Sequence, residues 1–117
     1  MIDETQLCID ILKSALTDVE VSSELPFEHP CGSYVQVSRT GGDESEELAT
    51  PIMTFICWGK SDVQAKALAA DCVHAMADQA KIDPLLSDSR LITMSRDEWT
   101  ATGQSRYMVQ LKLTINK

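Results

Sequence analysis

Residues 106–116 read RYMVQLKLTIN, and this stretch decides the fold class. Every second side chain in it is apolar: Tyr107, Val109, Leu111, Leu113 and Ile115. Most of the positions between them are polar: Gln110, Lys112, Thr114 and Asn116. Successive side chains of a strand point to opposite faces, so the alternation predicts a strand with one buried and one solvated face. That pattern is typical of an antiparallel sheet with a single covered face.

Other segments upstream carry strand patterns as well. Ser33–Thr40 alternates in the same way, and residues 91–96 (LITMSR) and Val19–Leu25 are further, shorter candidates. The run Pro51–Trp58 (PIMTFICW) is almost continuously apolar, with Thr54 as its one polar break, so both faces of this strand need cover. One face can lie under helices, and the other needs the far side of the fold or another subunit.

Loops separate these strands. Pro26–Gly32, with its two prolines, is expected to be a loop, and Gly41-Gly42-Asp43 predicts the turn after the second strand. The acidic residues that follow predict a solvated connection.

Two helices are predicted from apolar periodicity and from their first residues. Asp3 with Gln6 can form a capping box that opens a helix over about residues 3–18. Ser61 with Gln64 can form a second one, which opens an alanine-rich helix over about residues 61–80. The apolar stripes of the two helices comprise Cys8, Ile11, Leu12, Ala15, Leu16 and Val19, and Ala65, Leu68, Ala69, Cys72 and Met76.

The order of elements is therefore α-β-β-β-α-β-β, which predicts an α+β fold. We expect a two-layer sandwich in which two helices pack on one face of a mainly antiparallel sheet of four to five strands. The length of 117 residues has room for a single domain, 1–117, with one core. The second face of the sheet is then exposed or docked elsewhere.

Composition narrows the function classes. The formal net charge is −8, and such a chain is disfavoured as a generic nucleic-acid binder because phosphate contacts need Lys and Arg. An apolar content of 44% is ordinary for a globular protein. The sequence has no apolar run long enough to cross a bilayer and lacks the pattern of a signal peptide, so no membrane contact and a cytoplasmic location in the producing cell are expected.

Catalytic and metal-binding motifs are not found. The four cysteines have no CxxC spacing, and they are expected to be reduced thiols, with Cys8, Cys57 and Cys72 in the core. Cys72 and His74 are two residues apart on a predicted helix, so their side chains diverge and cannot share a metal with His29 and Cys31. Because no nucleophile, phosphate-binding or dinucleotide motif is present either, we expect no catalytic residues, no metal and no cofactor.

Two features are candidates for protein contacts. Residues 43–47 (DESEE) lack the order of a calcium-binding loop, and docking to a neighbouring protein is the alternative to a merely solvated loop. Trp58 can be an interface residue or partly buried core, whereas Trp99 is expected at a rim or on the surface.

The combination of segments resembles the tail-terminator, or tail-completion, proteins of long-tailed phages and prophages. The likeness rests on VQVSRTGG, an acidic loop, MTFICWGKS running into DVQAKALAADCVHAM, and the final strand SRYMVQLKLTIN, and it extends from about Leu7 to Ile115. The resemblance implies a non-catalytic virion protein at the head-tail junction. Such proteins form a ring, usually hexameric, that caps the tail tube and ends its polymerisation.

The partners that the resemblance implies are further copies of the chain, the tail-tube protein and the head-connector or neck proteins. DNA would pass through the ring without specific binding. The loop Gly41–Leu48 would project towards a neighbour or the channel, and Pro51–Trp58 would lie near a subunit interface. The candidate interface residues are Arg39, Asp43, Glu44, Glu46, Glu47 and Trp58.

Two other functions compete with this one. A monomeric acidic adaptor or inhibitor would occupy a basic protein partner, but its carboxylates should cover one face, and here only residues 43–47 form a cluster. A small enzyme with a dispersed site would depend on His29 or His74.

Overall fold

A computed structural model describes residues 3–24, 33–97 and 105–116. The elements are α1 (Glu4–Ala15), β1 (Val19–Ser22), β2 (Ser33–Glu44), β3 (Leu48–Gly59), α2 (Asp62–Ala80), β4 (Leu86–Asp97) and β5 (Ser105–Asn116). The predicted α+β class and the order α-β-β-β-α-β-β are confirmed.

The five strands form one sheet in the order β1-β2-β3-β5-β4. All neighbouring pairs are antiparallel except β1 and β2, which run parallel. The continuously apolar strand β3 lies at the centre, between β2 and β5, where the alternating pattern of β5 pairs with it along nearly its whole length. The short β1 and the twelve-residue β4 form the two edges.

Both helices pack on the same face of the sheet. Every second residue of β5 from Val109 to Ile115 is buried beneath them, as the alternation predicts. The predicted helix stripes enter this core, except at the end of α1, where Ala15 is exposed and Leu16 is only partly buried. The largest fully buried side chains are Phe55, Leu12, Met53, Met76, Leu86, Leu111, Leu113 and Ile115.

The helix starts differ from the predicted reciprocal capping boxes. The Asp3 carboxylate accepts a hydrogen bond from the Gln6 amide at 3.1 Å, but the Gln6 side chain donates forward to Asp10. Ser61 caps α2 in the same way, and the Gln64 side chain accepts from the amide of Lys60, one residue before the cap. In both helices the cap side chain accepts from the backbone amide three residues ahead, but the Gln side chain does not return a bond to the amide of the cap residue.

The end of α1 is earlier than predicted. Leu16 already has an extended backbone and Asp18 adopts a left-handed conformation with φ of 57°. The chain needs this reversal to enter β1 directly, so apolar periodicity through Val19 overestimates the helix.

The predicted turn at Gly41-Gly42-Asp43 is wrong. Strand β2 continues to Glu44, which pairs with Ala49, and the tight turn lies at residues 45–47. A bulge between Arg39 and Gly41 shifts the register by one residue. Gly42, with φ of 101°, supplies the backbone conformation that a bulged strand accepts and that most residues avoid.

The two faces of β3 have different environments. Met53, Phe55 and Cys57 are fully buried under the helices. The alternate residues Ile52, Thr54, Ile56 and Trp58 point to the other face, which no described helix covers. We call this face the open face, and it also includes the β5 residues paired with those positions: Arg106, Met108, Gln110 and Lys112.

Candidate protein-interaction site

The end of the β2–β3 hairpin carries four carboxylates in five residues. Ser45 closes the turn, since its amide donates to the Leu48 carbonyl at 2.7 Å and its hydroxyl also bonds to Leu48. Asp43, Glu46 and Glu47 are exposed, and their side chains form no ion pair or hydrogen bond with another described residue. We call these three residues the acidic tip.

Arg39 and Glu44 differ from these three residues because they form ion pairs. These pairs connect the hairpin to α1. One guanidinium nitrogen of Arg39 lies 2.9 Å from a Glu4 oxygen on α1 and 2.6 Å from a Glu44 oxygen. Its Nε also donates to the Gly41 carbonyl at 3.0 Å. The hydrogen bonds to Glu44 and Glu4 raise the pKa of Arg39. Arg39 thus holds the base of the hairpin in position.

Arg39→Met is expected to lower the unfolding free energy by about 1 kcal/mol, because it leaves Glu4 and Glu44 without their shared cation. The loss should shrink at high salt, where the wild-type pairs are screened. Urea denaturation at low and high salt measures both effects. Lys81→Met is the control: it removes a 3.7 Å contact to Asp78 between side chains exposed by about three quarters, and should change nothing measurable. Equal losses in the two variants would contradict this role.

Trp58 is buried within the subunit, with 2% of its surface exposed. Its ring makes an edge-to-face contact with Tyr34 at a centroid distance of 5.7 Å, and the guanidinium of Arg106 lies 5.4 Å from its centroid. The Tyr34 hydroxyl in turn donates to the Glu24 carbonyl at 2.7 Å. The structure thus gives Trp58 an internal packing role at one end of the open face. Sequence reasoning missed Tyr34 and Arg106, because only cross-strand register brings them to Trp58.

The middle of the open face is a small polar network. Thr54 is buried although it faces away from the helices, and its hydroxyl lies 2.8 Å from that of Thr40. The Gln110 side chain donates to the same Thr54 oxygen at 3.4 Å. Around this network, Ile52, Ile56 and Met108 are half-buried. The face is therefore apolar with a satisfied polar centre.

Two cations lie beyond the network, towards the β4 edge. Lys112 pairs with Ile52 on one side and with Arg90 on the other, so all three share the open face. Arg90 and Lys112 are exposed and form no ion pair or hydrogen bond with another described residue. Asp88, two residues before Arg90, is the nearest carboxylate on that strand face. The polar half of the β5 alternation was the signal for Lys112, whereas Arg90 precedes the strand predicted at residues 91–96 and is placed beside Lys112 only by the β4–β5 register.

The described residues contain no group of three or more His, Cys, Asp or Glu side chains that could hold a metal ion. Cys72 is buried and His74 exposed, as the divergent helix positions predict. His74 does line an open groove of about 390 Å³ between the end of α1 and α2, together with Asp71 and Asp78. His29, Cys31 and Trp99 lie outside the described residues.

The three described cysteines are buried free thiols, as expected. Burial, and secondarily Glu4, raises the pKa of Cys8 from 9.0 to about 12. The Sγ atoms of Cys57 and Cys72 are 3.9 Å apart, and the hydrogen bond between them, followed by burial, raises the pKa of Cys57. Since the thiolate is the reactive form, Cys8 and Cys57 are poor nucleophiles.

Alkaline pH is expected to destabilise the fold through Cys8. Between pH 9.0 and about 12 the unfolded chain loses the thiol proton while the folded chain keeps it, so stability falls as pH rises. Urea denaturation should show a loss on the order of 1 kcal/mol from this group between about pH 8 and about pH 10. Cys8→Ala should have a shallower slope, and identical slopes would contradict the assignment.

No protein-family model matches the chain, and no curated protein matches it either. Among the described helices, none combines the length and apolar character needed to cross a membrane.

Proposed function

We propose that this chain is a non-catalytic assembly subunit: a ring-forming tail terminator at the head-tail junction of a long-tailed phage. In this role the ring caps the tail tube, ends its polymerisation and offers a surface to the head-connector or neck proteins. The observation that carries the proposal is the open face, an apolar sheet surface on the side opposite both helices.

The open face supports assembly because its central strand carries apolar side chains that the helices do not bury. Ile52, Ile56 and Met108 are only half-buried, around a polar centre whose hydrogen bonds are already satisfied. An apolar surface of this kind, rimmed by charges, is characteristic of a protein–protein contact. The polar centre, being internally bonded, does not need water or a ligand and can be covered at little cost.

The shape and fixed position of the hairpin favour a contact in which two different surfaces of neighbouring copies meet. The described residues extend over 43 × 24 × 23 Å, an elongated shape, and the Arg39 bridges fix the hairpin against α1. A projecting end that meets a different patch on the next copy produces a heterologous contact, and such contacts close into rings when the rotation permits.

The charge distribution fits a channel through which DNA passes. With a net charge of −8, the ring wall repels phosphate and has little tendency to hold DNA. The buried thiols of Cys8 and Cys57, with their raised pKa values, fit a role that requires no chemistry.

The direct test uses purified tail-tube protein from the same virus, polymerised with and without this chain. We expect tubes of limited length with a ring at one end in electron micrographs, together with binding of the chain to the tubes. Unlimited tube growth and no binding at a large molar excess would overturn the proposal.

The alternative is a monomeric acidic adaptor that binds a basic protein through the three free carboxylates of the acidic tip. An adaptor should stay monomeric and should bind basic proteins in a salt-sensitive way, with no requirement for Ile52, Ile56 or Met108. Ring formation that is abolished by a polar substitution at Ile56 would exclude the adaptor.

A further inference from the structure

The acidic tip and the open face carry opposite charges that no other described residue neutralises. Asp43, Glu46 and Glu47 at the tip, and Arg90 and Lys112 on the face, are all exposed, and none of the five side chains has an ion-pair or hydrogen-bond partner among the described residues. The ion pairs among the described residues join other groups: Arg39 with Glu4 and Glu44, Lys81 with Asp78, and Arg96 with Asp62.

The two sets are separated within one subunit. Leu48, at the base of the tip, pairs with Asn116, whereas Lys112 is four residues further along β5. At a rise of about 3.4 Å per residue, the two positions are roughly 14 Å apart along the strand. The bonds between Ser45 and Leu48 close the tight turn, so residues 45–47 end the hairpin beyond the last pair of β3 and β5.

The apolar residues near each charge set are also complementary. Leu48 is 39% exposed beside the acidic tip, at the end of β3 and on the same side of that strand as Ile52. On the open face, Ile52 lies directly opposite Lys112 and is half-buried. An acidic end with one exposed leucine therefore matches a face on which an isoleucine adjoins two cations.

We propose that the open face is the docking site for the acidic tip of a second copy of this chain. The tip of one subunit lies against Arg90 and Lys112 of the next, with Leu48 placed against Ile52. The contact is heterologous, since each subunit uses its tip on one side and its face on the other, and repetition of it builds a closed ring. The inference rests on the proposed function and names the surfaces that would join the ring.

Charge exchange tests the contact. The tip variant carries Glu46→Lys and Glu47→Lys, the face variant carries Arg90→Glu and Lys112→Glu, and a third variant carries all four substitutions. The matched control is Asp71→Lys with Asp78→Lys, which reverses two carboxylates of α2 far from both surfaces. Circular dichroism verifies that each variant is folded, and sedimentation velocity at low salt, up to about 1 mM chain, measures association.

The tip and face variants should each associate at least about tenfold more weakly than the wild-type chain, since like charges then oppose each other. Mixing the two should restore association, and so should combining all four substitutions in one chain, because both restore opposite charges. The control should match the wild type, and salt should weaken all contacts.

Three outcomes would overturn the inference: a wild-type chain that stays monomeric, association that is unchanged in the tip and face variants, or failure of both the mixture and the fourfold variant to recover. These outcomes are separate from the fate of the proposed function. If the protein limits tail-tube length but its association is unchanged by charge reversal, it is a terminator with a different subunit contact. A chain with charge-dependent rings that leaves tubes unlimited has the contact but another role.

Discussion

Phe55→Ala is expected to unfold the protein or come close to it. The side chain is fully buried between the sheet and the helices, and removing it leaves a cavity in the middle of the central strand. Such substitutions cost about 3–5 kcal/mol, which is a large part of the roughly 5–15 kcal/mol that stabilises a typical domain. Thermal denaturation followed by circular dichroism measures the loss.

Ile56→Ala is the matched comparison, because the two residues are adjacent on β3 and point to opposite faces. From sequence alone, Phe55 and Ile56 look equally suited to the core, and replacing either predicts a folding defect. The structure corrects this for Ile56, which is half-buried on the open face. Its replacement should cost at most about 1 kcal/mol of stability and should mainly weaken association. Equal destabilisation by the two substitutions would contradict the assignment of faces.

Gly42→Ala is expected to have the second largest effect. Gly42 has φ of 101°, and a Cβ there would collide with the Thr50 carbonyl oxygen and lie 2.6 Å from the Pro51 Cα, so backbone and not a flexible side chain blocks it. The left-handed strain alone costs about 1–3 kcal/mol, and the hairpin must also move to relieve the clash. Because the acidic tip follows directly, its position should change as well.

Gly41→Ala provides the control one residue away. A Cβ at Gly41 meets only the Ile52 side chain, at 3.6 Å, which is an ordinary contact. Urea denaturation should therefore show a loss of at most about 0.5 kcal/mol, or none. If Gly41→Ala were as destabilising as Gly42→Ala, the bulged path of β2 described here would be incorrect.

Much of the fold follows from sequence periodicity. The alternation in 106–116 and the apolar stripe of the alanine-rich helix predict β5 and α2 within a residue or two, because burial on one face dictates both patterns. The ends of elements were predicted less well. Gly41-Gly42 has the composition of a turn, yet it serves as a bulge because pairing with β3 continues to Ala49. The length of the strand Leu86–Asp97 was underestimated, because the polar residues of this edge strand interrupt the alternation by which a strand is recognised.

The interaction site was predicted only in part. The acidic cluster is visible in the sequence because its residues are contiguous, and the side chains of Asp43, Glu46 and Glu47 have no ion-pair or hydrogen-bond partner among the described residues. What sequence could not show is that Arg39 and Glu44 are partners of each other, or that Trp58 lies behind Tyr34. Nor could it place Arg90 beside Lys112, since this neighbourhood depends on a β4–β5 register with two bulges.

The most direct test of the assembly role is the molar mass of the purified chain in solution as a function of concentration, measured by light scattering after size exclusion at low salt. A ring-forming subunit should give a species that grows with concentration towards a six-fold multiple of the 12.9 kDa chain, with a polar substitution at Ile56 shifting it back to the monomer. A single 12.9 kDa species at every concentration, unchanged when tail tubes are added, would contradict the assembly role.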